Sequence, residues 1–157
     1  MDASLTRQLS RLVDQISTIV VGKRAQIEDA VACLLAGGHL LIEDVPGVGK
    51  TFFGVILAAI SDAKFARIQG RADLQPTEVV GFQMINPATG QLVTEFGPMA
   101  SAEIILLDEI NRIPLKSQSA FLEGLQDRTI TVGKDTYDLP AFSFAIATMN
   151  PVELGQG

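Results

Sequence analysis

A glycine-containing loop between two apolar segments constrains the fold of this chain more than any other feature. Residues 39–43 form a short apolar run that predicts a β-strand, and residues 50–60 form a strongly apolar segment that predicts a helix. Between them lies the octapeptide DVPGVGKT, residues 44–51. Strand, loop and helix in this order begin a βαβ unit, so the sequence predicts a parallel α/β sheet.

The residue types of this loop suit the binding of phosphate groups. Such a loop needs glycines that let backbone N–H groups turn inward, a lysine that reaches the β and γ phosphates, and a hydroxyl for Mg²⁺. Asp44 stands where the usual pattern has a first glycine, but that glycine is not a phosphate ligand. The predicted nucleotide contacts are Pro46, Gly47, Val48, Gly49, Lys50, Thr51 and Phe52, with Lys50 also acting in catalysis and Thr51 binding the metal.

A second motif places two carboxylates directly after an apolar run. Residues 104–107 are all aliphatic, which is typical of a parallel strand covered on both faces, and Asp108 and Glu109 follow them. A nucleoside triphosphatase needs one carboxylate for the Mg²⁺ shell and a second to polarise the attacking water. The carboxyl end of a strand is where open α/β sheets bind their ligands. Asp108 and Glu109 are therefore predicted to supply both functions.

The rest of the chain alternates helical and strand-like segments, which predicts a three-layer α/β fold with hairpin insertions. Asn150 follows the last apolar strand, and its amide would contact the γ-phosphate or the attacking water if that strand lies beside the loop strand. The predicted elements are helices at 1–19, 23–36 and 114–126, strands at 65–69 and 142–148, and hairpins at 82–95, with a turn at 86–90, and at 129–139.

Composition narrows the function classes. The 157 residues carry a net charge of −6, which argues against a nucleic-acid partner. The longest apolar stretch, residues 52–60, is far below the ~18 residues of a membrane span, and the charged N-terminal residues fit no signal peptide, so a cytoplasmic protein is expected. A single cysteine, Cys33, excludes an internal disulfide.

The stretches EDVPGVGKT, LLDEINR and ATMNP, in this order and spacing, resemble the MoxR family of AAA+ ATPases over nearly the whole chain. The resemblance implies a Walker A pair at Lys50 and Thr51, a Walker B Mg²⁺ residue at Asp108, a catalytic base at Glu109 and a sensor 1 residue at Asn150. It further implies that Val20, Val21 and Gly22 line the adenine and that Gln69 restrains Glu109.

By the same resemblance, residues 1–157 form the N-terminal portion of an AAA+ core with a leading helix at 1–19. The arginine finger, fifth strand, sensor 2 and helical lid of the family would follow Gly157. An arginine finger contributes roughly 10³ to 10⁵ in rate. The 157-residue chain alone is therefore expected to bind nucleotide weakly and to hydrolyse it very slowly.

The resemblance also implies what the whole protein does. It predicts Mg²⁺-dependent binding of ATP and ADP, ATP hydrolysis, a head-to-tail homo-oligomeric ring of six subunits, and chaperone-like remodelling or maturation of other proteins. A protein with a von Willebrand factor A domain is the implied partner. The hairpin turn at residues 86–90 resembles an insertion that faces the pore of the ring or its client.

The alternatives fall into two classes, another P-loop enzyme and a binding scaffold without turnover. A GTPase would carry an Asn-Lys-x-Asp motif, which the chain lacks, and a small-molecule kinase would not explain Glu109 followed by Asn150. A nucleotide-responsive scaffold without turnover remains the main alternative.

Three arginines contact either a neighbouring subunit or local acidic groups, and we favour local contacts for Arg71, Arg112 and Arg128. His39 is interpreted as a packing residue at the start of its strand.

Overall fold

The computed structural model describes residues 3–19, 24–43 and 62–149. The helices are α1 (Ala3–Ile19), α2 (Arg24–Leu35), α3 (Pro76–Val80) and α4 (Leu115–Asp127), with short 3₁₀ turns at Pro98–Ala100 and Ile110–Arg112. The strands are β1 (Leu40–Glu43), β2 (Phe65–Gln69), β3 (Gly81–Ile85), β4 (Leu92–Phe96), β5 (Ile104–Asp108), β6 (Thr129–Val132), β7 (Asp135–Asp138) and β8 (Phe144–Met149).

The described strands form one parallel sheet and two antiparallel hairpins. The sheet has four strands in the order β1-β8-β5-β2, and every pair in it is parallel. The hairpins are β3–β4 and β6–β7, as the sequence predicted. The predicted parallel α/β fold is confirmed, and its two central strands, β5 and β8, are the ones buried along almost their whole length.

The sheet separates two apolar clusters, because successive side chains of a strand point to opposite faces. In β5, Ile104 and Leu106 join the cluster of α1 and α2, whereas Ile105 and Leu107 join the cluster of α3 and α4. Each fully buried aliphatic side chain contributes about 1.5–3 kcal/mol. Asp108 continues the row of Ile104 and Leu106, so the alternation directs its carboxylate to the α1–α2 face.

Local sequence signals set the ends of several elements. Helix α2 ends as predicted: Gly37 adopts a φ of 71°, its N–H donates to the Leu34 carbonyl at 3.0 Å, and the Gly38 N–H donates to the Cys33 carbonyl at 3.0 Å. This is the Schellman arrangement, which favours glycine. The predicted helix at residues 50–60 lies outside the described residues.

The sequence analysis missed helix α3. Its five residues are too few to show helical periodicity. Two weaker sequence signals mark its start. Pro76 stands at the first helical position, and Glu78 stands three residues after Gln75, the spacing that lets the Gln75 N–H donate to Glu78 Oε1 at 2.9 Å.

The two hairpins contact each other on the α3–α4 side of the sheet. The rings of Phe96 and Tyr137 meet edge to face with centroids 4.8 Å apart, and Gln83 Nε2 donates to Asp135 Oδ2 at 2.7 Å. The predicted turn at residues 86–90 is closed by Asn86, whose N–H donates to the Gln91 carbonyl at 2.8 Å. In the described part of the chain, no helix is both long and apolar enough to cross a membrane.

His39 lies at the start of the β1–β8 ladder, where the sequence analysis placed it as a packing residue. Its Nδ1 accepts the Ala145 N–H at 3.1 Å, so that nitrogen carries no proton. Burial lowers the pKa of His39 below its usual 6.5, and the charge of Arg128 acts in the same direction, while a hydrogen bond with the Leu125 backbone opposes both. The folded protein therefore favours the neutral imidazole.

This preference predicts a pH-dependent loss of stability. Because the pKa of His39 is lower in the folded state, its contribution is complete above pH 6.5 and is lost as the pH falls towards the folded value. His39→Asn keeps an acceptor near the Nδ1 position but does not titrate. In urea unfolding between pH 7.5 and 5.5, the wild type should lose more unfolding free energy than His39→Asn, and parallel curves would contradict the assignment.

Candidate active site

The polar residues at the carboxyl ends of three adjacent strands meet at one edge of the sheet. Asp108 ends β5, Gln69 ends β2 directly opposite it in register, and Thr148 lies one residue before the end of β8. Glu109 follows Asp108 immediately. Strand β1 ends at Glu43 on the same edge, one residue before the predicted phosphate loop. This edge is where open α/β sheets bind ligands.

Asp108 is a buried carboxylate, only 6% exposed, with donors on both oxygens. Thr148 Oγ1 donates to Oδ1 at 3.0 Å, and Arg67 Nε donates to Oδ2 at 2.8 Å. Arg67 Nη2 lies 2.6 Å from the same oxygen. Since a buried charge is costly unless it is paired and hydrogen-bonded, these contacts fix the position of the carboxylate.

Glu109 leaves the strand through an unusual backbone conformation. Its φ of 54° and ψ of 54° lie in the left-handed region, which costs a residue other than glycine about 1–3 kcal/mol. The Glu109 N–H donates to Thr148 Oγ1 at 3.0 Å. The same threonine hydroxyl therefore holds the Asp108 side chain and the Glu109 backbone, and the turn directs the Glu109 side chain away from the strand.

Gly70 supports this turn from the neighbouring strand. Its N–H donates to the Asp108 carbonyl at 2.6 Å, and a Cβ at position 70 would lie 2.1 Å from the Glu109 carbonyl oxygen. Only glycine fits this close contact between two backbones. The ends of β2 and β5 are thereby packed together beside Gln69 and Glu109.

Two side chains hold the Glu109 carboxylate. Gln69 Nε2 donates to Glu109 Oε2 at 3.2 Å, and Arg112 Nη1 donates to the same oxygen at 3.0 Å. Gln69 Oε1 in turn accepts from Arg67 Nη2 at 3.1 Å. The structure thus brings Gln69 and Glu109 into the contact that the family resemblance implied.

The other candidate arginines also have local contacts, as favoured from the sequence. Arg71 pairs with Glu78 and with Asp73, the latter at 3.0 Å. Arg128 Nη1 donates to the Ala141 carbonyl at 2.8 Å. Arg112 also pairs locally, with Glu109 three residues before it, so its partner belongs to the site itself.

Several predicted site residues lie outside the described residues, so their placement stays a prediction. They comprise the proposed adenine contacts, the whole phosphate loop and the proposed sensor residue: Val20, Val21, Gly22, Pro46, Gly47, Val48, Gly49, Lys50, Thr51, Phe52 and Asn150.

Sequence reasoning missed Thr148 and Arg67 as parts of the site. A signal existed for each. Thr148 shares the alternation of Phe144 and Ile146, so it belongs to the face that carries Asp108. Arg67 is a charged residue in the middle of a short, otherwise mostly apolar strand, which is the signal that it has a polar partner.

The donor chemistry at this edge fits Mg²⁺. That ion prefers oxygen ligands and is usually held through one or two carboxylates together with substrate phosphates. Asp108 provides a fixed carboxylate, and Glu109 lies next to it. Within residues 3–19, 24–43 and 62–149 no cluster of three or more His, Cys, Asp or Glu residues could hold a metal by itself. A carboxylate pair of this kind suits a metal that arrives with a phosphate ligand.

The double role of Thr148 yields a stability prediction. Thr148→Val keeps the shape of the side chain but removes a donor to Asp108 and leaves the Glu109 N–H without its acceptor. We expect the free energy of unfolding to fall by about 2–3 kcal/mol, since an unsatisfied buried polar group costs about 1–3 kcal/mol. Thr131→Val, the same change at an exposed position of β6, should cost less than about 0.5 kcal/mol. Equal denaturation midpoints for the two variants would refute the role assigned to Thr148.

The comparisons with known proteins agree with this architecture. Residues 39–157 match the model of the ATPase family associated with various cellular activities (AAA). The chain is 38% identical over 151 residues to chaperone MoxR1 of Mycobacterium tuberculosis, covering 96% of this chain and 40% of that protein. It is 43% identical over 145 residues to the uncharacterized protein YeaC of Bacillus subtilis, covering 92% and 45% of the two chains.

A solved structure is also similar. The crystal structure of a candidate ATPase from Cytophaga hutchinsonii superposes with a TM-score of 0.79 at 37% identity, covering 93% of this chain and 44% of the other. The chain thus spans less than half the length of each of these relatives. Its parallel sheet, its paired carboxylates and these matches together show that the chain belongs to the AAA family of ATPases and is of the MoxR type.

Proposed function

We propose that this protein binds ATP together with Mg²⁺ and hydrolyses it at the carboxyl edge of the sheet. One observation carries the proposal: Asp108, buried and hydrogen-bonded on both oxygens, is followed by Glu109, which a left-handed turn directs out of the strand. The hydrogen bonds of Asp108 suit a group that must hold a metal in a fixed place. The left-handed turn suits Glu109 to reach a water molecule beyond the end of the sheet.

The described residues would have different roles in this reaction. Asp108 would hold the Mg²⁺ shell, and the ion, when bound, would neutralise charge on the phosphates. Glu109 would polarise the attacking water and accept its proton. Gln69 and Arg112 hold one oxygen of Glu109, which sets where its carboxylate lies. Thr148 keeps Asp108 and the Glu109 backbone in one rigid unit.

The remaining contacts belong to residues known from sequence alone. The glycines of residues 44–51 would cradle the phosphates, Lys50 would bind the β and γ phosphates, and Thr51 would complete the metal site. Asn150, which comes directly after β8, would contact the γ-phosphate or the attacking water. The family match over residues 39–157 supports this assignment because it includes all of these positions.

The whole protein is proposed to act as a chaperone-like ATPase. The relative from Mycobacterium tuberculosis is named a chaperone, which supports remodelling or maturation of other proteins as the task. Head-to-tail contacts would close a ring of six subunits, since a heterologous interface can form rings. A partner with a von Willebrand factor A domain and a cytoplasmic location complete the proposal. The alternative is a nucleotide-responsive scaffold without turnover.

Nucleotide binding is tested at Lys50. Lys50→Ala should abolish Mg²⁺-dependent ATP binding in the full-length protein, because the phosphates lose their only loop cation. Lys116→Ala removes an equal charge from an exposed position of α4 and should leave the affinity unchanged. Isothermal titration calorimetry measures both, and equal ATP affinity in the wild type and Lys50→Ala would reject the site.

Catalysis is tested at Glu109. Glu109→Gln in the full-length protein should retain ATP binding but lower kcat at least about 100-fold, the lower end of what a general base contributes. Glu123→Gln, an exposed position of α4, is the matched control and should turn over normally. Undiminished hydrolysis by Glu109→Gln would remove Glu109 from the role of base. A wild type that binds ATP but never hydrolyses it would favour the scaffold.

A further inference from the structure

Arg67 is a charged residue in the middle of β2, and neither the phosphate loop nor the two carboxylates account for it. Phe65, Arg67 and Gln69 share one face of this strand, which is the α1–α2 face that Asp108 also occupies. The Arg67 side chain is 51% exposed, yet it does not extend into solvent alone. Its guanidinium contacts the Asp108 carboxylate and the Gln69 amide.

The contacts of Arg67 fix the orientation of the Gln69 amide. A guanidinium has only donors, so it must face the amide oxygen, and Nη2 donates to Gln69 Oε1 at 3.1 Å. A carboxylate only accepts, so Glu109 must face the amide nitrogen, and it receives Nε2 at 3.2 Å. With Arg67 on one side and Glu109 on the other, only one of the two amide orientations satisfies both neighbours.

The same guanidinium also places a positive charge beside Asp108. Nε and Nη2 lie 2.8 and 2.6 Å from Oδ2, so a full positive charge stands beside the carboxylate proposed to hold the metal. The positive charge of the guanidinium offsets part of the negative potential of the carboxylate. The attraction of Asp108 for a second cation is therefore weaker than it would be without Arg67.

We propose that Arg67 is a positioning residue of the nucleotide site, which lowers the affinity of Asp108 for Mg²⁺ and orients Gln69 towards Glu109. This inference rests on the proposed function, since it assigns Arg67 a role in the same ATP site. Through one guanidinium, Arg67 couples the residue that would hold the metal to the residue that would activate water. An ordinary surface ion pair would do neither.

Two substitutions separate the charge of Arg67 from its geometry. Arg67→Gln removes the positive charge beside Asp108. Arg67→Lys keeps the charge, but a compact ammonium lacks the planar fork that spans Asp108 and Gln69 at once. Arg71→Gln is the matched control, because Arg71 is similarly exposed, lies four residues away along the chain and pairs with Glu78 and Asp73 instead.

The first experiment measures the charge effect without turnover. The binding of a fluorescent, non-hydrolysable ATP analogue to the full-length protein is titrated with Mg²⁺. Arg67→Gln should lower the Mg²⁺ concentration at half-maximal binding by about 3- to 10-fold, the size expected for removing one partly solvent-screened charge from beside a carboxylate. Arg67→Lys and Arg71→Gln should stay within about twofold of the wild type.

The second experiment measures the orientation effect by a double-mutant cycle. If Arg67 acts through Gln69, Arg67→Lys and Gln69→Ala should change kcat in the same direction and by a similar factor, at least about threefold. The KM for ATP should stay within about twofold, and the double variant should behave like either single variant, because the two changes break one connection. Additive effects on kcat would overturn the orienting role.

The outcomes distinguish this inference from the proposed function. If the wild type fails to bind the ATP analogue with Mg²⁺, the proposed function falls and the inference falls with it. If the wild type binds but Arg67→Gln shifts the Mg²⁺ dependence no more than Arg71→Gln, Arg67 forms an ordinary ion pair and the inference alone is overturned. Circular dichroism checks the folding of each variant, and the cycle of Arg67→Lys with Gln69→Ala still decides the orienting role if Arg67→Gln does not fold.

Discussion

The parallel pairing of β5 with β8 is the constraint on which the rest of the structure depends. Both strands are buried on both faces, so each carries a row of apolar side chains towards α1 and α2 and a second row towards α3 and α4. The register aligns Leu106 with Ile146 and Leu107 with Ala147. A shift of one residue would exchange the large Phe144 and Ile146 on one face with the small Ala145 and Ala147 on the other, so close packing of large and small side chains fixes this register.

That register decides which polar groups meet at the carboxyl edge. Asp108 and Thr148 come next in the two rows that face α1 and α2, and the Thr148 hydroxyl can therefore donate to the Asp108 carboxylate while accepting the Glu109 N–H. The cost of the left-handed turn at Glu109 is offset locally by this hydrogen bond and by the packing of Gly70. Core packing thus determines how Asp108, Glu109 and Thr148 are placed relative to one another.

Much of the fold follows from patterns within short windows of sequence. The aliphatic run before Asp108, the glycine pair after α2 and the turn at residues 86–90 each carry their own physical signal, and the structure contains each element. Helix α3 was missed because it is shorter than two helical turns, so no periodicity could develop. Of the candidate site, Asp108, Glu109 and Gln69 were predicted, whereas Thr148 and Arg67 were not, because the importance of each comes from a partner about 40 residues away in sequence.

The sequence by itself determined the order along the chain of every described strand and of the longer helices, the chemical types of the groups at strand ends, and the resemblance to the MoxR proteins. These properties depend on local composition, spacing and periodicity, which a chain carries whether or not it is folded. Only the tertiary structure decided that one threonine hydroxyl serves both Asp108 and Glu109, and that Arg67 reaches Asp108 and Gln69 at once. The physical reason is that a hydrogen bond requires its donor and acceptor to be placed to within a few tenths of an ångström, and strand order and register set that placement across the sheet.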